Sequence, residues 1–313
     1  MIDVLETTKF VVDNSKLVTI SKSAIEQLVR TIRSGDLQIN EAEWTHYKWS
    51  QTELIKILFV FDAVNYCFWA KKDEQKWQIN IDEEQIDGSI ALLRCIEEEV
   101  KKNPHFVEPR YLAKLTEFDW ERITKGYVKI PLFLERLSCL KELGAVESFA
   151  SLVQQANNNA TTLLEIIIAN FPSFNDVAIF DGRKVEFYKR AQLLVKGISD
   201  AILLDNKESF FEIEKLTAFA DYKIPQVLRK IGIIEYVPEL ANKIDSYKLI
   251  DSGSREELEI RANTIWAVEN IRGALSDRYE KVTAAQVDTM LWKKSQEKTK
   301  DEKPYHRTLT IAY

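Results

Sequence analysis

Along most of this chain apolar residues recur at the three- and four-residue spacing of a helix face, and the polar residues between them carry helix start and stop signals. Residues 23 to 35 place Ile25, Leu28, Val29 and Ile32 between Ser23 and Gly35, which predicts one bounded amphipathic helix. Residues 88 to 102 repeat the pattern with Leu92, Leu93, Ile96 and Val100. Residues 131 to 143 do so with Leu134, Leu137, Leu140 and Leu143, opened by Pro131 and capped by Gly144. A longer helix is expected over 149 to 170, ending before Phe171-Pro172. Ser254 with Glu257, and Thr283 with Gln286, have the spacing of capping boxes and open two late helices. The one stretch that reads as strand is 178 to 187, where Asp181-Gly182 lies between Ile179-Phe180 and Val185-x-Phe187 as in a tight hairpin.

These elements predict an all-α fold: a single compact helical domain over residues 1–313, with at most that minor β-hairpin. Composition agrees, because 9 Gly and 7 Pro in 313 residues leave few helix breakers, and 45% hydrophobic with 29% charged residues is the balance of a soluble globular protein. No repeat, heptad run or compositional shift marks a domain boundary. The polar tract 293 to 303 is expected to be an exposed link to the last residues.

Charge and cysteine usage narrow the function. Forty-three basic against 49 acidic residues, spread along the chain, give a net charge of −6, so the basic footprint of a duplex binder is missing and no polymeric nucleic acid is expected as a partner. The start, MIDVLETTKF, has neither a basic nor an apolar leader region, and no window approaches the ~18 apolar residues of a membrane span. A cytoplasmic protein without a membrane partner is expected. Cys67, Cys95 and Cys139 are odd in number and sit far apart in apolar helical text, which fits reduced, buried thiols rather than a disulfide or zinc site. A catalytic thiol at Cys67 is the lesser alternative.

The glycine-rich phosphate and dinucleotide loops, the serine nucleophile elbow and the zinc-protease helix are all absent, and His46, His105 and His306 are not at ligand spacing. Neither a metal nor a cofactor is expected, and chemistry must rest on carboxylates, lysines and arginines. Four segments break the bland helical pattern. In Phe187-Tyr-Lys-Arg-Ala-Gln192, Lys189 and Arg190 head an apolar helix whose dipole repels cations, so either an anion compensates them or both side chains snorkel to water. Asp221 follows an apolar, aromatic run (Leu216, Phe219, Ala220) and precedes a helix opened by Pro225. It either caps that helix, with an imperfect offset, or is a carboxylate held ready for catalysis. The extended tail from 304 to 313 carries His306, Arg307 and Thr308, two potential cations and a hydroxyl, which read as a phosphate-binding set or as a structural clasp. Asp62 and Asn65 stand among Tyr66, Phe68 and Trp69, and this text is either helical core or a surface for stacking a purine-like base and bonding its edge.

Taken in order, Asn65-Tyr-Cys-Phe-Trp69, Ile130-Pro-Leu132 with Glu135-Arg136, Phe171-Pro-Ser-Phe174 with Asp176, Tyr188-Lys-Arg-Ala-Gln192, Phe219-Ala-Asp-Tyr-Lys-Ile-Pro-Gln226, Glu259-Ile-Arg261 and His306-Arg-Thr308 resemble the queuosine salvage family over essentially the whole chain. The resemblance implies hydrolysis of the N-glycosidic bond of the small molecule queuosine 5′-phosphate, releasing queuine for reuse in transfer RNA. It also implies a body like that of helix-hairpin-helix DNA glycosylases. Lys189 and Asp221, 32 residues apart, fall on the catalytic pair. That spacing is longer than in the DNA glycosylases. Tyr66 stands where the family commonly has Phe, and Lys223 where it has Arg.

In that reading Asp221 stabilises the sugar cation or activates water. Lys189 orients the carboxylate, helps the base leave, or attacks the sugar as an amine. Asn65, Phe68, Trp69 and Tyr222 would surround the base, Asp62 or Asp176 would face its cationic amine, and Arg190, His306 and Arg307 would hold the phosphate. Two rival readings fit the same residues. A DNA-type base glycosylase needs a basic groove, and a non-catalytic helical adaptor predicts Lys189 and Asp221 apart and exposed.

Overall fold

The computed structural model describes residues 2–38, 45–81, 83–206, 210–297 and 302–313. Among these the chain is mostly helical. It runs α1 (Val4–Asp13), β1 (Val18–Ile20), α2 (Lys22–Thr31), α3 (Gln51–Ala63), β2 (Gln78–Ile81), β3 (Glu84–Asp87), α4 (Gly88–Lys102) and the short α5 (Pro109–Leu112). There follow α6 (Glu117–Ile123), α7 (Phe133–Glu142), α8 (Phe149–Gln155), α9 (Ala160–Asn170), β4 (Val177–Phe180), β5 (Arg183–Glu186) and α10 (Lys189–Asn206). The last elements are α11 (Lys223–Lys230), β6 (Ile234–Tyr236), α12 (Pro238–Asp245), α13 (Arg255–Ser276) and α14 (Ala284–Ser295). No helix among the described residues is long and apolar enough to cross a membrane.

Capping chemistry explains where the sequence reading holds and where it slips. Thr283 and Gln286 form the reciprocal capping box of α14, and the Ser254 hydroxyl accepts from the Glu257 N–H to open α13. The helix expected over 23–35 is shifted. Ser21, not Ser23, caps α2, and the chain leaves the helix at Ile32, so Gly35 falls in a separate 3-10 turn. The helix expected over 149–170 is two helices, because Asn157 and Asn158 adopt left-handed backbone (φ 49 and 56) and Asn159 caps α9. Asparagine tolerates that conformation better than other non-glycine residues. The 178–187 hairpin is present as β4–β5, with Asp181 and Gly182 both at positive φ as a tight primed turn requires. Two further antiparallel pairs, β1–β6 and β2–β3, were not legible, since strands of three or four residues carry too little alternation. Residues 298–301 of the expected polar link lie outside the described residues.

Contacts divide the chain into two compact units, each discontinuous in sequence. The first comprises residues 1–40, 176–189 and 214–309. Its centre is α13, against which α1, α2, α11 and α14 pack, with the β4–β5 hairpin laid on α1 and α13. The second comprises 41–175, 190–213 and 310–313. Its centre is α3, buried on every face from Ile57 to Ala63, apolar there except for Asp62, and covered by α4, α7 and α8. The chain passes between units at 40/41, 175/176, 189/190, 213/214 and 309/310, so no single stretch of linker composition marks the division.

Gly144 also departs from its expected role. It lies in a 3-10 turn after α7 rather than in a left-handed cap, and a Cβ there would sit 2.5 Å from the Ala113 Cβ. Glycine is required for close approach, not for conformation. Gly144→Ala is therefore expected to lower stability by about 1–3 kcal/mol, the usual cost of overpacking, read from the midpoint of urea unfolding.

Candidate functional site

In the first unit the site begins at the end of the hairpin. The Asp176 backbone carbonyl accepts from the N–H groups of Phe187 (3.0 Å) and Tyr188 (3.3 Å), and its Oδ2 accepts from the N–H of Lys189 (3.2 Å). Tyr188 is forced to φ 51, an unusual backbone for a bulky residue, and this kink converts β5 into the first turn of α10. The anion expected at the head of α10 is thus the Asp176 carboxylate. Lys189 does not snorkel to water, being 6% exposed.

Asp176 is itself gripped by Arg261 of α13, whose Nη1 and Nη2 donate to Oδ1 (2.9 Å) and Oδ2 (2.6 Å). Both side chains are buried, and the Arg261 guanidinium lies 4.0 Å from the centre of the Phe187 ring. The Nε of Arg261 donates in the other direction, to the carbonyl of Ala220 at 3.2 Å. One guanidinium therefore ties the backbone beside Lys189 to the backbone beside Asp221.

Asp221 sits in the buried loop leading into α11. Its Oδ1 accepts from the N–H groups of Lys223 (2.7 Å) and Ile224 (3.0 Å), while Oδ2 takes no hydrogen bond from a described residue. The capping reading is correct in chemistry and off in register, because α11 starts at Lys223, two residues before Pro225. Capping consumes one oxygen and fixes the direction of the other. Tyr222, next in the chain, is buried with its ring 4.9 Å from that of Tyr305.

A residue that the sequence reading passed over lies beside this pair. Asp288 of α14 is 5% exposed and its Oδ1 accepts from the N–H of Phe219 at 2.9 Å. Burial, and next the neighbouring Asp221 carboxylate, push its acid up to about 7, while the Phe219 N–H and the Lys189 ammonium oppose the rise. Lys189, Asp221 and Asp288 thus share one electrostatic neighbourhood within the first unit. The signal was an acid in the apolar stripe Ala284, Ala285, Val287 and Leu291, where an ionisable group is costly.

The tail packs back as the clasp reading requires. The Arg307 carbonyl accepts from the Ile250 N–H (2.8 Å), and its guanidinium lies over the rings of Tyr247 and Tyr305. His306 is buried, and its imidazole is pushed down to about 3, first by burial and then by the Arg261 charge. It is a neutral group, so of the two cations expected there only Arg307 is one. The Thr308 hydroxyl is buried without a hydrogen-bond partner among the described residues.

In the second unit Asp62, Asn65, Phe68 and Trp69 are all buried, but the aromatic run is not helical: α3 ends at Ala63, and 65 to 70 is an irregular strip with Cys67 at φ 46. The Asn65 amide donates to Asp62 Oδ1 (3.2 Å), and Phe68 stacks at 6.4 Å on Trp77. Two buried arginines satisfy the strip's carbonyls. Arg136 donates to Val64, Tyr66, Cys67 (3.1 Å) and Pro131 (2.8 Å), and Arg190 to Asp62 (3.2 Å), Ala63 (2.6 Å) and Ser173. The expectation of Arg190 at a phosphate meets a guanidinium already committed to three carbonyls and 1% exposed. Burial pushes the Cys67 thiol up to about 11, which leaves no reactive thiolate. An open cleft of about 700 Å³, lined in part by His105, Arg110, Lys114 and Asp119, contains none of the expected site residues.

Comparison with known proteins matches residues 45–313 to a model of the queuosine salvage protein family. A curated relative from Sphaerobacter thermophilus is 37% identical over 99% of this chain and 97% of its own length. Relatives from Dictyostelium discoideum and Bos taurus are 32% and 30% identical, each over at least 98% of both chains. All three are named queuosine 5′-phosphate N-glycosylase/hydrolase.

Removing Asp176 leaves Arg261 buried without its main counter-charge. Asp176→Ala is expected to lower stability by about 3–5 kcal/mol in urea unfolding, as for other broken buried ion pairs. A loss under 1 kcal/mol, roughly that of an exposed pair, would show that the pair does not organise this region.

Proposed function

The chain belongs to the queuosine salvage protein family, and we propose from that premise that Asp221 and Lys189 carry out its reaction at the ribose of queuosine 5′-phosphate. The enzyme is an N-glycosylase that hydrolyses the bond between the base and the sugar. The observation that carries the assignment is the electrostatic neighbourhood of Lys189, Asp221 and Asp288, with Lys189 buried and the Asp221 carboxylate fixed through one oxygen. The adaptor reading required Lys189 and Asp221 to be separate and exposed, and their common action on Asp288 counts against it.

As the C1′–N bond breaks, its electron pair leaves with the base and positive charge develops on the ribose ring. Asp221 Oδ2 faces that charge and stabilises it, or takes a proton from the water that adds to C1′. Lys189 orients the carboxylate and offsets negative charge on the departing base. The proton released from that water passes to the nitrogen of the departing base, so the products are queuine and ribose 5-phosphate and Asp221 is again a carboxylate. For base recognition, Tyr222 of the first unit offers a flat ring; in the second unit Asn65, Phe68 and Trp69 offer an amide and flat rings, and Asp62 an acid for the cationic amine, and their chemistry is what supports these assignments. Asp176 is better read as a positioning residue, since Arg261 and the Lys189 N–H engage its carboxylate. Arg307, with Thr308 and a neutral His306 as hydrogen-bonding groups, is the phosphate candidate, and Arg190 is not.

A cytoplasmic setting is favoured by three free, buried thiols. A free nucleotide rather than a nucleic acid polymer is favoured by the net charge of −6. Kinship of the helical body with helix-hairpin-helix DNA glycosylases rests on the Lys and Asp pair.

Asp221→Asn is expected to cut queuine release by at least about 100-fold, in the range of a lost general base or charge stabiliser, while queuosine 5′-phosphate still binds by calorimetry. Activity within a few-fold of the unaltered protein would remove Asp221 from the mechanism. Arg307→Ala is expected to raise KM for queuosine 5′-phosphate about tenfold or more and to leave KM for queuosine, which has no phosphate, nearly unchanged. An equal rise for both substrates would take Arg307 away from the phosphate.

A further inference from the structure

We propose that Tyr247 is a positioning residue for substrate binding: its ring, together with that of Tyr305, holds the Arg307 guanidinium in the direction from which it meets the phosphate of the substrate. The inference rests on the reading of Arg307 as the phosphate group.

The backbone at Tyr247 carries it first. Helix α12 ends in a Schellman turn, in which the Tyr247 N–H donates to the Ile244 carbonyl (2.9 Å) and the Lys248 N–H to the Lys243 carbonyl (3.1 Å). That turn puts Tyr247 at φ 63, in the left-handed region where glycine sits without steric cost and a bulky side chain is strained. Burial does not account for a tyrosine there either, since Tyr247 is 38% exposed. Neither the turn nor the core calls for this side chain. What its ring meets is the Arg307 guanidinium, whose carbon lies 4.4 Å from the ring centre.

The short stretch after α12 holds Arg307 at both ends. The Arg307 main chain forms a parallel bridge with Leu249, and its carbonyl accepts from the Ile250 N–H at 2.8 Å. Tyr247, at the start of the same stretch, takes the guanidinium, and Tyr305 adds a second ring at 4.8 Å. A ring face attracts a guanidinium without offering a lone pair, so it fixes the direction of the group without drawing N–H donors away from oxygen acceptors. A phosphate that accepts from two such donors meets a fork already pointed at it, and less side-chain freedom is lost on binding. Arg190 is the contrast, because three backbone carbonyls engage its guanidinium directly. Of the two rings, Tyr305 is the less selective one to alter. It also lies 4.9 Å from the Tyr222 ring and 5.3 Å from the Lys223 ammonium, both next to Asp221, so its loss would disturb that loop as well. Tyr247 is therefore the residue whose ring can be removed with the Asp221 loop left in place.

The test is the steady-state kinetics of Tyr247→Gly with queuosine 5′-phosphate and with queuosine. Glycine relieves the left-handed backbone while removing the ring, so the midpoint of urea unfolding is expected to stay or rise. KM for queuosine 5′-phosphate is expected to rise about two- to fivefold, the size of one exposed cation–π contact, with kcat and the KM for queuosine nearly unchanged. Tyr247→Phe keeps the ring and is expected to restore KM. Added to Arg307→Ala, Tyr247→Gly is expected to change KM no further, since the group it positions is gone. An unchanged KM for queuosine 5′-phosphate in Tyr247→Gly, an equal rise for both substrates, or a full further rise on top of Arg307→Ala overturns the proposal. Should Tyr247→Gly not fold, Tyr247→Leu, which keeps bulk without an aromatic face, takes its place with the same expected selectivity. An equal rise in KM for both substrates in Arg307→Ala alone would instead sink the phosphate reading beneath it, a separate outcome.

Discussion

The bidentate pair between Arg261 and Asp176 is the constraint on which the first unit's site depends. A buried ion pair is a poor source of net stability, because desolvation offsets most of the attraction. What it supplies here is geometry. One carboxylate terminates the hairpin, meets the first N–H of α10 and receives a planar two-pronged donor, and the same guanidinium reaches the carbonyl before Asp221. Lysine could not do this, since a point charge has no second, fixed direction in which to bond. The charge has a further effect on its surroundings: together with burial it keeps His306 neutral.

The second unit uses guanidinium groups in a different way. Between the end of α3 and Cys67 the chain is irregular and buried, and irregular buried backbone must find hydrogen-bond partners. Arg136 and Arg190 are those partners, with the Tyr66 ring within 4.4 and 5.0 Å of the two guanidinium carbons. Four aromatic or amide-bearing side chains, Asn65, Tyr66, Phe68 and Trp69, are thereby set without regular secondary structure. Such a strip is a means of fixing flat side chains rigidly while leaving their spacing unconstrained by a helical or strand period.

How much of this was legible follows from the length scale of each feature. Capping boxes and helix faces are local, so α4, α13, α14 and the β4–β5 turn could be placed closely from sequence. The break at Asn157 and Asn158 was visible as three consecutive asparagines and was overridden by an apolar pattern that continues in phase on both sides. For the site, the ordered motifs indicated Lys189, Asp221 and Arg261, but not that Arg261 connects the other two, because the contact spans 85 residues to Asp176 and 41 to Ala220. Arg190 looked like a phosphate ligand for the same reason: an arginine buried against backbone carbonyls and one poised for an anion have the same sequence. Asp288 gave a real local signal, an acid on an apolar helix face, that only the neighbouring charges turn into chemistry.

The most direct measurement is a crystal structure of the Asp221→Asn variant with uncleaved queuosine 5′-phosphate. If Asp221 is the group that meets the developing charge, the ribose C1′ will lie at reacting distance, about 3–3.5 Å, from the carboxamide at position 221, with Lys189 beside it. A ribose bound away from both residues would contradict the assignment of this pair to the reaction.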